Sequence, residues 1–313
     1  MTPSISVIIS THDRPDSLRR TVAAVLRQTL VPVELIVVND GATDIADDVP
    51  ASCAEAGLPL QVRRMDRPSL PASRNAGAAL ARGDVIMLLD DDVTMPDDYL
   101  ARLAEMYRLD RRGVIGGIAG ILTERQIPGL GHRLSMALVE ASAANRWAPW
   151  RSVARYTALP PALAGRLDPA RAMSGGAISL RRQVARRHHF NGALSGYALG
   201  EDTEFSFRVE RQVPLFVARE LVLWHELAPS GRPDNYRRGR TYVTHMTAIA
   251  RDSVGGGAGT YLLLAYHLAG FMLLSAAWAL TTWRRSELDL AAGIIDELAH
   301  QGWQWARRTL CGC

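Results

Sequence analysis

Three consecutive aspartates, Asp90, Asp91 and Asp92, end an apolar run over residues 85–89. The short apolar run predicts a buried strand, so the acids lie at the carboxyl end of that strand. Adjacent carboxylates repel one another, and nothing in folding requires them. Hard divalent cations prefer carboxylate oxygens, so the triplet indicates a metal ion and an anionic ligand. An ordinary polar turn before a helix that begins near Pro96 explains the same residues, because acids are favourable at a helix N-terminus.

A second acidic group, Glu201 and Asp202, begins a predicted helix over residues 200–209. A helix N-terminus favours an ionised carboxylate, so either side chain could accept a proton from a hydroxyl group at neutral pH. Helix-start chemistry alone also explains these acids, and Glu204 adds a third one to the same turn. The alternatives are a catalytic base and a simple helix start.

Polar residues also follow other predicted strands. Thr11 to Arg14 follow the first apolar run, Asn39-Asp40-Gly41 follows the second, and His225 ends a short strand much later. The sequence Asn-Asp-Gly forms turns in many contexts, so a plain turn competes with a binding role for Asp40. A hydrogen-bonded structural residue competes in the same way with a ligand role for His225.

These clusters need a scaffold that brings strand ends together. Strand and helix patterns alternate in the first third of the chain, with predicted strands at 5–9, 33–38, 60–63 and 85–89 and predicted helices at 16–28, 44–55 and 72–81. This order predicts an α/β fold, with a Rossmann-like, mostly parallel sheet and helices on both faces. Ligands bind beyond the carboxyl ends of the strands in such sheets, and the polar clusters fall at those ends.

The middle of the chain is less regular. Further strands are predicted at 114–122, 174–180, 213–217 and 221–224. Residues 124–172 lack clear periodicity, which is typical of a functional loop region. Trp147 and Trp150 lie in this region, where an indole face could stack on a sugar or pack in the core.

The C-terminal part, residues 227–313, predicts a helical extension. Residues 260–283 contain no Asp, Glu, Lys or Arg, and Arg284-Arg285 follows them. The segment is long enough to span a bilayer, and it also suits a helix at a membrane surface or a core or dimer helix. Residues 287–305 predict an amphipathic helix, whose apolar face carries Leu288, Ala291, Ile294, Ile295, Leu298 and Trp305.

Composition narrows the range of partners. The 313 residues carry a formal net charge of +4, and arginine supplies all 36 basic residues. This excess is too small and too dispersed for a nucleic-acid partner, and it fits an anionic small molecule or an anionic membrane surface. Cys53, Cys311 and Cys313 do not form a disulfide framework, so we expect a cytoplasmic location, with the inner face of the cell membrane as an option.

Several segments in order resemble the inverting family 2 glycosyltransferases of the GT-A fold. The resemblance covers about residues 4–226, and it rests on Ser6–Arg14, Glu34–Asp44, Ser73-Arg-Asn-Ala-Gly77, Leu89–Asp92, Ser174-Gly-Gly, Gly200-Glu-Asp202 and His225. Each segment alone is weak, and the series in the right order is specific. The sequence departs from the family pattern at His12, where tyrosine is usual, at Asp13, where asparagine is usual, and at Asn39, where aspartate is common.

The resemblance implies a role for each cluster. It implies a Mg²⁺ or Mn²⁺ ion on Asp90 and Asp92, with His225 as a further ligand or a phosphate contact. It places Asp91 near the ribose or sugar hydroxyls, and it implies a nucleotide site formed by Thr11, His12, Arg14, Asp40 and Arg74. A solvated helix arginine remains the alternative for Arg74. The catalytic base falls on Asp202, with Glu201 as the neighbour that positions the base or the acceptor.

The expected function is therefore metal-dependent, inverting transfer of a sugar from a nucleoside diphosphate to a hydroxyl acceptor, such as a glycan, a lipid-linked intermediate or a small natural product. Asp40 favours UDP or dTDP donors, since its carboxylate could accept the imide N–H of uracil or thymine. One alternative is a non-catalytic nucleotide-sugar-binding protein. Another is a nucleotidyltransferase, but that class needs a glycine-rich basic loop, and Ser10–Arg14 is not one.

The same resemblance predicts the domain organisation. Residues 1–226 would form the glycosyltransferase domain, in which residues 1–110 hold the nucleotide-sugar and residues 111–226 bind the acceptor. Residues beyond 226 carry no resemblance to the family. Their own pattern predicts a separate helical region over residues 227–313, with membrane contact through residues 260–283 as one alternative.

Overall fold

The structure, a computed structural model, describes residues 1–124, 159–194, 198–226, 234–282 and 286–311. The described residues fall into two compact units, one up to residue 226 and one from residue 234 onward. Trp147 and Trp150, for which sugar stacking and core packing were the alternatives, lie outside the described residues.

The first unit contains one mixed sheet. Its nine strands are β1 Ile5–Thr11, β2 Glu34–Asn39, β3 Leu60–Arg64, β4 Val85–Asp90, β5 Val93–Thr94, β6 Gly117–Glu124, β7 Leu167–Pro169, β8 Ala177–Arg181 and β9 Leu215–His225. Their order is β3-β2-β1-β4-β8-β6-β9-β5, and β7 pairs with β9. The strands β3, β2, β1 and β4 are parallel, and β8 runs antiparallel to β4 and β6. Carboxyl ends of β1, β2 and β4 therefore meet at one edge.

Helices cover both faces of this sheet. They are α1 Pro15–Leu26, α2 Asp48–Glu55, α3 Leu70–Leu80, α4 Tyr99–Leu109, α5 Arg182–Arg187 and α6 Glu201–Glu210. Alternate residues of β1 enter two different cores: Val7 packs in a cluster with Leu18 of α1, and Ile8 packs in a cluster with Ala78 of α3. This pattern follows from the two-residue period of a strand, and it explains why every residue of β1 is buried.

One expectation about the strands was wrong. The predicted pair of strands at 213–217 and 221–224 is a single strand, β9, that spans Leu215–His225. Its pairing with β6 shifts register between Gly120 and Ile121, which lets the strand continue through the polar residues Arg219 and Glu220. Such a bulge bends a strand without ending it.

The second unit is helical. It contains α7 Asn235–Ala248, a π-helical turn Ile249–Val254, α8 Ala258–Thr282 and α9 Ser286–Cys311. The helices α7 and α9 approach closely, because a Cβ added at Gly239 would lie 2.3 Å from the carbonyl oxygen of Leu290, and one at Gly293 would lie 2.0 Å from that of Tyr236. Glycine at both positions therefore sets the spacing of the two helices.

The apolar residues of α8 and α9 are only partly buried. Leu262, Tyr266 and Leu273 of α8 are 72%, 65% and 71% exposed. Only part of the predicted apolar face of α9 is covered, since Ile294 is buried whereas Leu288, Ile295 and Leu298 are exposed. Within the described part of the chain, no helix has the length and apolar character needed to cross a membrane.

Candidate active site

The aspartate triplet lies where the chain passes from β4 to β5. Asp90 is the last residue of β4, and β5 pairs antiparallel with the end of β9 through Val93 and His225. The backbone between these strands is held on both sides. Thr21 Oγ1 donates to the carbonyl oxygen of Asp91 at 2.8 Å, and the amide of Glu226 donates to that of Asp92 at 2.7 Å. The triplet is therefore a fixed turn within the sheet.

Each acid of the triplet has partners from another element. Asp91 accepts hydrogen bonds from Thr11 Oγ1 at 2.7 Å and from Arg14 Nη1 at 3.2 Å. Burial raises the pKa of the Asp91 carboxyl to about 6, against the opposing effects of Thr11 and Arg14. Asp92 lies 3.5 Å from Arg14 Nη1 and 3.0 Å from His225 Nε2. The structure thus brings together the predicted residues Thr11, Arg14, Asp91, Asp92 and His225.

Arg74 connects the triplet to the second acidic group. Its Nη2 donates to Asp90 Oδ1 at 2.9 Å, and its Nη1 donates to Glu201 Oε1 at 2.6 Å. The side chain is 2% exposed, and its guanidinium lies 5.4 Å from the centre of the Phe190 ring. The alternative of a solvated helix arginine is therefore wrong. A planar guanidinium that bridges two acidic side chains in this way is characteristic of buried arginine.

Glu201 and Asp202 begin α6, but they have different surroundings. Glu201 is 5% exposed, and burial together with the charge of Asp202 raises its pKa to about 8, in spite of Arg74. Asp202 is only partly buried. Its carboxylate accepts hydrogen bonds from the amide of Gly175 at 2.8 Å and from that of Thr203 at 2.7 Å. The carboxyl group of Glu201 is thus enclosed, whereas the carboxylate of Asp202 is accessible and held in one orientation.

Asp40 lies at the end of β2 beside the N-terminus of α3. Its Oδ1 is 2.9 Å from His12 Nδ1, and its Oδ2 accepts hydrogen bonds from the Ser69 amide at 2.8 Å and from Ser73 Oγ at 3.1 Å. The turn expected at this position is made by Asn39, whose side chain bonds the Gly41 amide and the Thr43 carbonyl. The carboxylate of Asp40 therefore contacts His12 and the N-terminal part of α3.

The predicted metal ligands are Asp90, Asp92 and His225. Among the described residues, no three acidic, histidine or cysteine side chains are arranged as a ready metal site. Asp92 and His225 are in contact, and Asp90 is 30% exposed. Oxygen ligands with one imidazole suit Mg²⁺ or Mn²⁺, so the donor set fits the expected ion. Asp90 also accepts a hydrogen bond from Arg74, and Asp92 lies 3.5 Å from Arg14 Nη1.

Sequence reasoning missed several supporting residues. Gly175 bonds Asp202 and also lies against Arg74, because a Cβ there would be 2.8 Å from Nη2. It belongs to the Ser-Gly-Gly segment, which was a usable signal. Ser69 and Ser73 hold Asp40 next to the predicted Arg74. Phe190 stacks on Phe205 with ring centres 4.1 Å apart, and no pattern in the sequence pointed to it.

The family is shown by comparison with family models. The model described as "Glycosyl transferase family 2" matches residues 6–174, which is more than half of the chain. The chain therefore belongs to glycosyl transferase family 2, as the motifs predicted.

Curated relatives share the N-terminal part of the chain. The glycosyltransferase YwdF of Bacillus subtilis is 36% identical over 102 residues, which cover 32% of this chain and 37% of that protein. The glucosyl-dolichyl phosphate glucuronosyltransferase of Haloferax volcanii is 32% identical over 116 residues, 36% of this chain and 37% of that protein. The matched region thus spans about a third of the length of these relatives.

Solved structures show the fold. The mannosyltransferase PcManGT from Pyrobaculum calidifontis, in complex with GDP-Man and Mn²⁺, has a TM-score of 0.58 and 17% identity, over 95% of this chain and 88% of that chain. GalNAc-T7 with UDP, GalNAc and Mn²⁺ has a TM-score of 0.53 and 15% identity, over 90% of this chain and 58% of that one. These similarities confirm the predicted GT-A type of fold.

Proposed function

We propose that the protein is a metal-dependent, inverting glycosyltransferase that moves a sugar from a nucleoside diphosphate to a hydroxyl acceptor. One observation carries the proposal: Arg74 bonds both Asp90 of the triplet and Glu201 beside Asp202. A cluster for an anionic donor and a carboxylate able to accept a proton are thus held together at one sheet edge. Membership of glycosyl transferase family 2 supports the same reaction class.

The donor side of the site is formed by β1, β2 and the triplet. Asp40, His12 and Thr11 would lie by the nucleobase, with uracil or thymine favoured, since a carboxylate can accept an imide N–H. Arg14 and Arg74 would face the diphosphate, and Asp91 the ribose or sugar hydroxyls. Solved structures of the same fold contain GDP-Man or UDP, which supports a nucleotide at this edge.

Asp90, Asp92 and His225 would hold a Mg²⁺ or Mn²⁺ ion. A divalent ion there supplies Lewis acidity that neutralises the leaving diphosphate. The Mn²⁺ in both solved structures supports this assignment. Asp92 is 3% exposed, and its Oδ1 lies 3.0 Å from His225 Nε2.

Asp202 would act as the general base. Inverting transfer is a single displacement at the anomeric carbon, and the acceptor hydroxyl loses its proton as it attacks. Asp202 is partly exposed, and the Gly175 and Thr203 amides each bond one of its oxygens. Its carboxylate is therefore accessible to an acceptor and held in one orientation. Glu201, buried against Arg74, would position α6 rather than touch the acceptor.

Release of nucleoside diphosphate from UDP-sugars and dTDP-sugars with Mn²⁺ tests the proposal. We expect Asp202→Asn to lower turnover about 10²- to 10⁴-fold while UDP binding stays, because only the proton acceptor is lost. Asp92→Ala should abolish turnover and also Mn²⁺-dependent UDP binding. Glu210→Gln, at the other end of α6, is the matched control. Normal turnover by Asp202→Asn would reject the base, and UDP binding without any turnover by the wild type would indicate a non-catalytic binding protein.

We also propose that the exposed apolar face of α8 contacts an anionic membrane surface, where a glycan or lipid-linked acceptor would be met. Three large side chains on this face are more than 60% exposed. Exposed apolar patches of this kind mark interaction surfaces. The net charge of +4 and the Arg284-Arg285 pair after α8 complement anionic lipids.

A further inference from the structure

Arg14 is the arginine that lies next to two acids of the triplet. Its Nη1 lies 3.2 Å from Asp91 Oδ1 and 3.5 Å from Asp92 Oδ2, and the side chain is 15% exposed. The two carboxylates are 4% and 3% exposed. Adjacent buried carboxylates would repel strongly without a counter-charge, so the arginine has a clear electrostatic effect on the cluster.

The loop that carries Arg14 is fixed by contacts within the protein. Asp13 adopts a left-handed backbone with φ of 52°, which is rare for a residue other than glycine. Its Oδ1 accepts a hydrogen bond from the Thr43 amide at 2.7 Å, which ties the loop to the turn after β2. Arg14 itself occupies the N-cap position of α1, and its carbonyl oxygen accepts a hydrogen bond from the Leu18 amide at 3.0 Å. The backbone of Arg14 is therefore held in place beside the triplet, and only its side chain has to move.

A divalent ion at Asp92 and the arginine would compete for the same carboxylate. Asp92 Oδ2 faces Arg14, and Asp92 Oδ1 faces His225. Bringing a second cation beside Arg14 without an anion would concentrate positive charge. Arrival of a diphosphate removes this repulsion, because a guanidinium pairs well with phosphate.

We propose that Arg14 is a built-in counter-ion that neutralises Asp91 and Asp92 in the ligand-free protein and moves to the diphosphate when the donor binds, so that metal and nucleotide bind cooperatively. This inference rests on the proposed function. It assigns to Arg14 a positioning role toward the metal site that is distinct from simple donor contact.

Titration of Mn²⁺, followed by electron paramagnetic resonance of the free ion, tests this role with and without UDP. We expect Arg14→Gln to bind Mn²⁺ about tenfold more tightly than the wild type in the absence of UDP, since the competing cation is gone. UDP should strengthen Mn²⁺ binding much less in this variant. In EDTA its melting temperature should be lower, because two buried carboxylates lose their counter-charge.

Arg14→Lys keeps the charge but places it on a shorter side chain without the planar guanidinium, so its Mn²⁺ affinity should lie between those of the wild type and Arg14→Gln. The control is Arg19→Gln, which removes an exposed arginine of the same helix that pairs with Asp16 and Asp48. Unchanged nucleotide-free Mn²⁺ affinity in both Arg14 variants would overturn the inference and leave the proposed function intact. Failure of the wild type to bind Mn²⁺ even with UDP would overturn both.

Discussion

At the scale of single residues, the buried side chain of Arg74 contributes to both the stability of the protein and the arrangement of the candidate site. It is the buried cation shared by Asp90 and Glu201, which belong to different parts of the chain. Removing this arginine is costly, because Glu201 loses a hydrogen bond inside the protein and Asp90 loses its counter-ion.

We therefore predict that Arg74→Gln lowers the free energy of unfolding by about 3–5 kcal/mol. Urea denaturation measures this change. The control, Arg27→Gln, removes an exposed arginine 3.3 Å from Asp97, and such surface pairs contribute about 0–1 kcal/mol. Equal effects of the two substitutions would contradict the role of Arg74.

Glu201 gives a prediction about pH. Burial raises its pKa to about 8, above the ordinary value of 4.5, so the folded state holds a proton that the unfolded state releases. Stability contributed by this proton is present at low pH and is lost as pH rises from about 4.5 to about 8. We expect the melting temperature of Glu201→Gln, which stays neutral, to rise relative to the wild type between pH 5 and pH 8.5. A constant difference across this range would show that Glu201 does not titrate there.

The acids of the candidate site and several of their partners, Thr11, Arg14, Arg74 and His225, were candidates from the sequence, but the contacts between them were not predictable. Carboxylates at strand ends and helix starts stand out in the sequence, although turns and helix starts explain them equally well. Arg74 was recognised as a candidate, yet its burial depends on Phe190 and Glu201, which are far away in the chain. Contacts of this kind arise from tertiary packing, which no local pattern encodes.

At the scale of elements, the packing of α7 against α9 depends on small residues. A Cβ at Gly293 would lie 2.0 Å from the carbonyl oxygen of Tyr236, which is backbone and cannot turn aside. We predict that Gly293→Ala destabilises the helical unit by about 1–3 kcal/mol, as overpacking does. Thermal unfolding followed by circular dichroism at 222 nm measures the effect.

The matched control lies in the same helix. A Cβ at Gly302 meets nothing within 4 Å, so Gly302→Ala should raise stability by about 0.5–1 kcal/mol through helix propensity alone. Destabilisation by both substitutions would mean that backbone flexibility, rather than the contact with α7, is what glycine provides.

Element type was easier to predict than element ends or buried faces. Strands β1 to β4 followed from short apolar runs, and α6 followed from its acidic first turn. The break expected before Leu221 was absent, because a register shift carries β9 past Arg219 and Glu220. On α9 the sequence predicted the apolar residues but not which of them are covered, since Ile294 is buried whereas Ile295 is exposed.

At the scale of the whole molecule, the exposed face of α8 leads to a prediction about membranes. We expect the protein to float with vesicles that contain anionic phosphatidylglycerol, and the double substitution Leu262→Ser and Leu273→Ser to abolish flotation. Leu80→Ser, at a 41% exposed position of α3, should leave flotation unchanged. Self-association in analytical ultracentrifugation, lost in the double variant and without flotation, would assign the face to a second copy of the chain.

The general fold followed from the alternation of strands and helices, since parallel strands joined by helices have few alternatives. The mixed character of the sheet did not follow, because the antiparallel direction of β8 depends on how the chain returns after residues 124–172. Sheet topology beyond neighbouring segments is a property of long connections, which local patterns do not constrain.

The pairing of β5 with the end of β9 has a consequence for chimaeric proteins. Asp92 and His225 are joined across that pairing. Arg74 separately joins Asp90 to Glu201, which is also far away in the chain. A chimaera that joined residues 1–110 of this protein to the following residues of a relative would lose both sets of partners unless the relative supplied them. We therefore expect chimaeras that exchange residues 1–226 as one piece to keep these contacts.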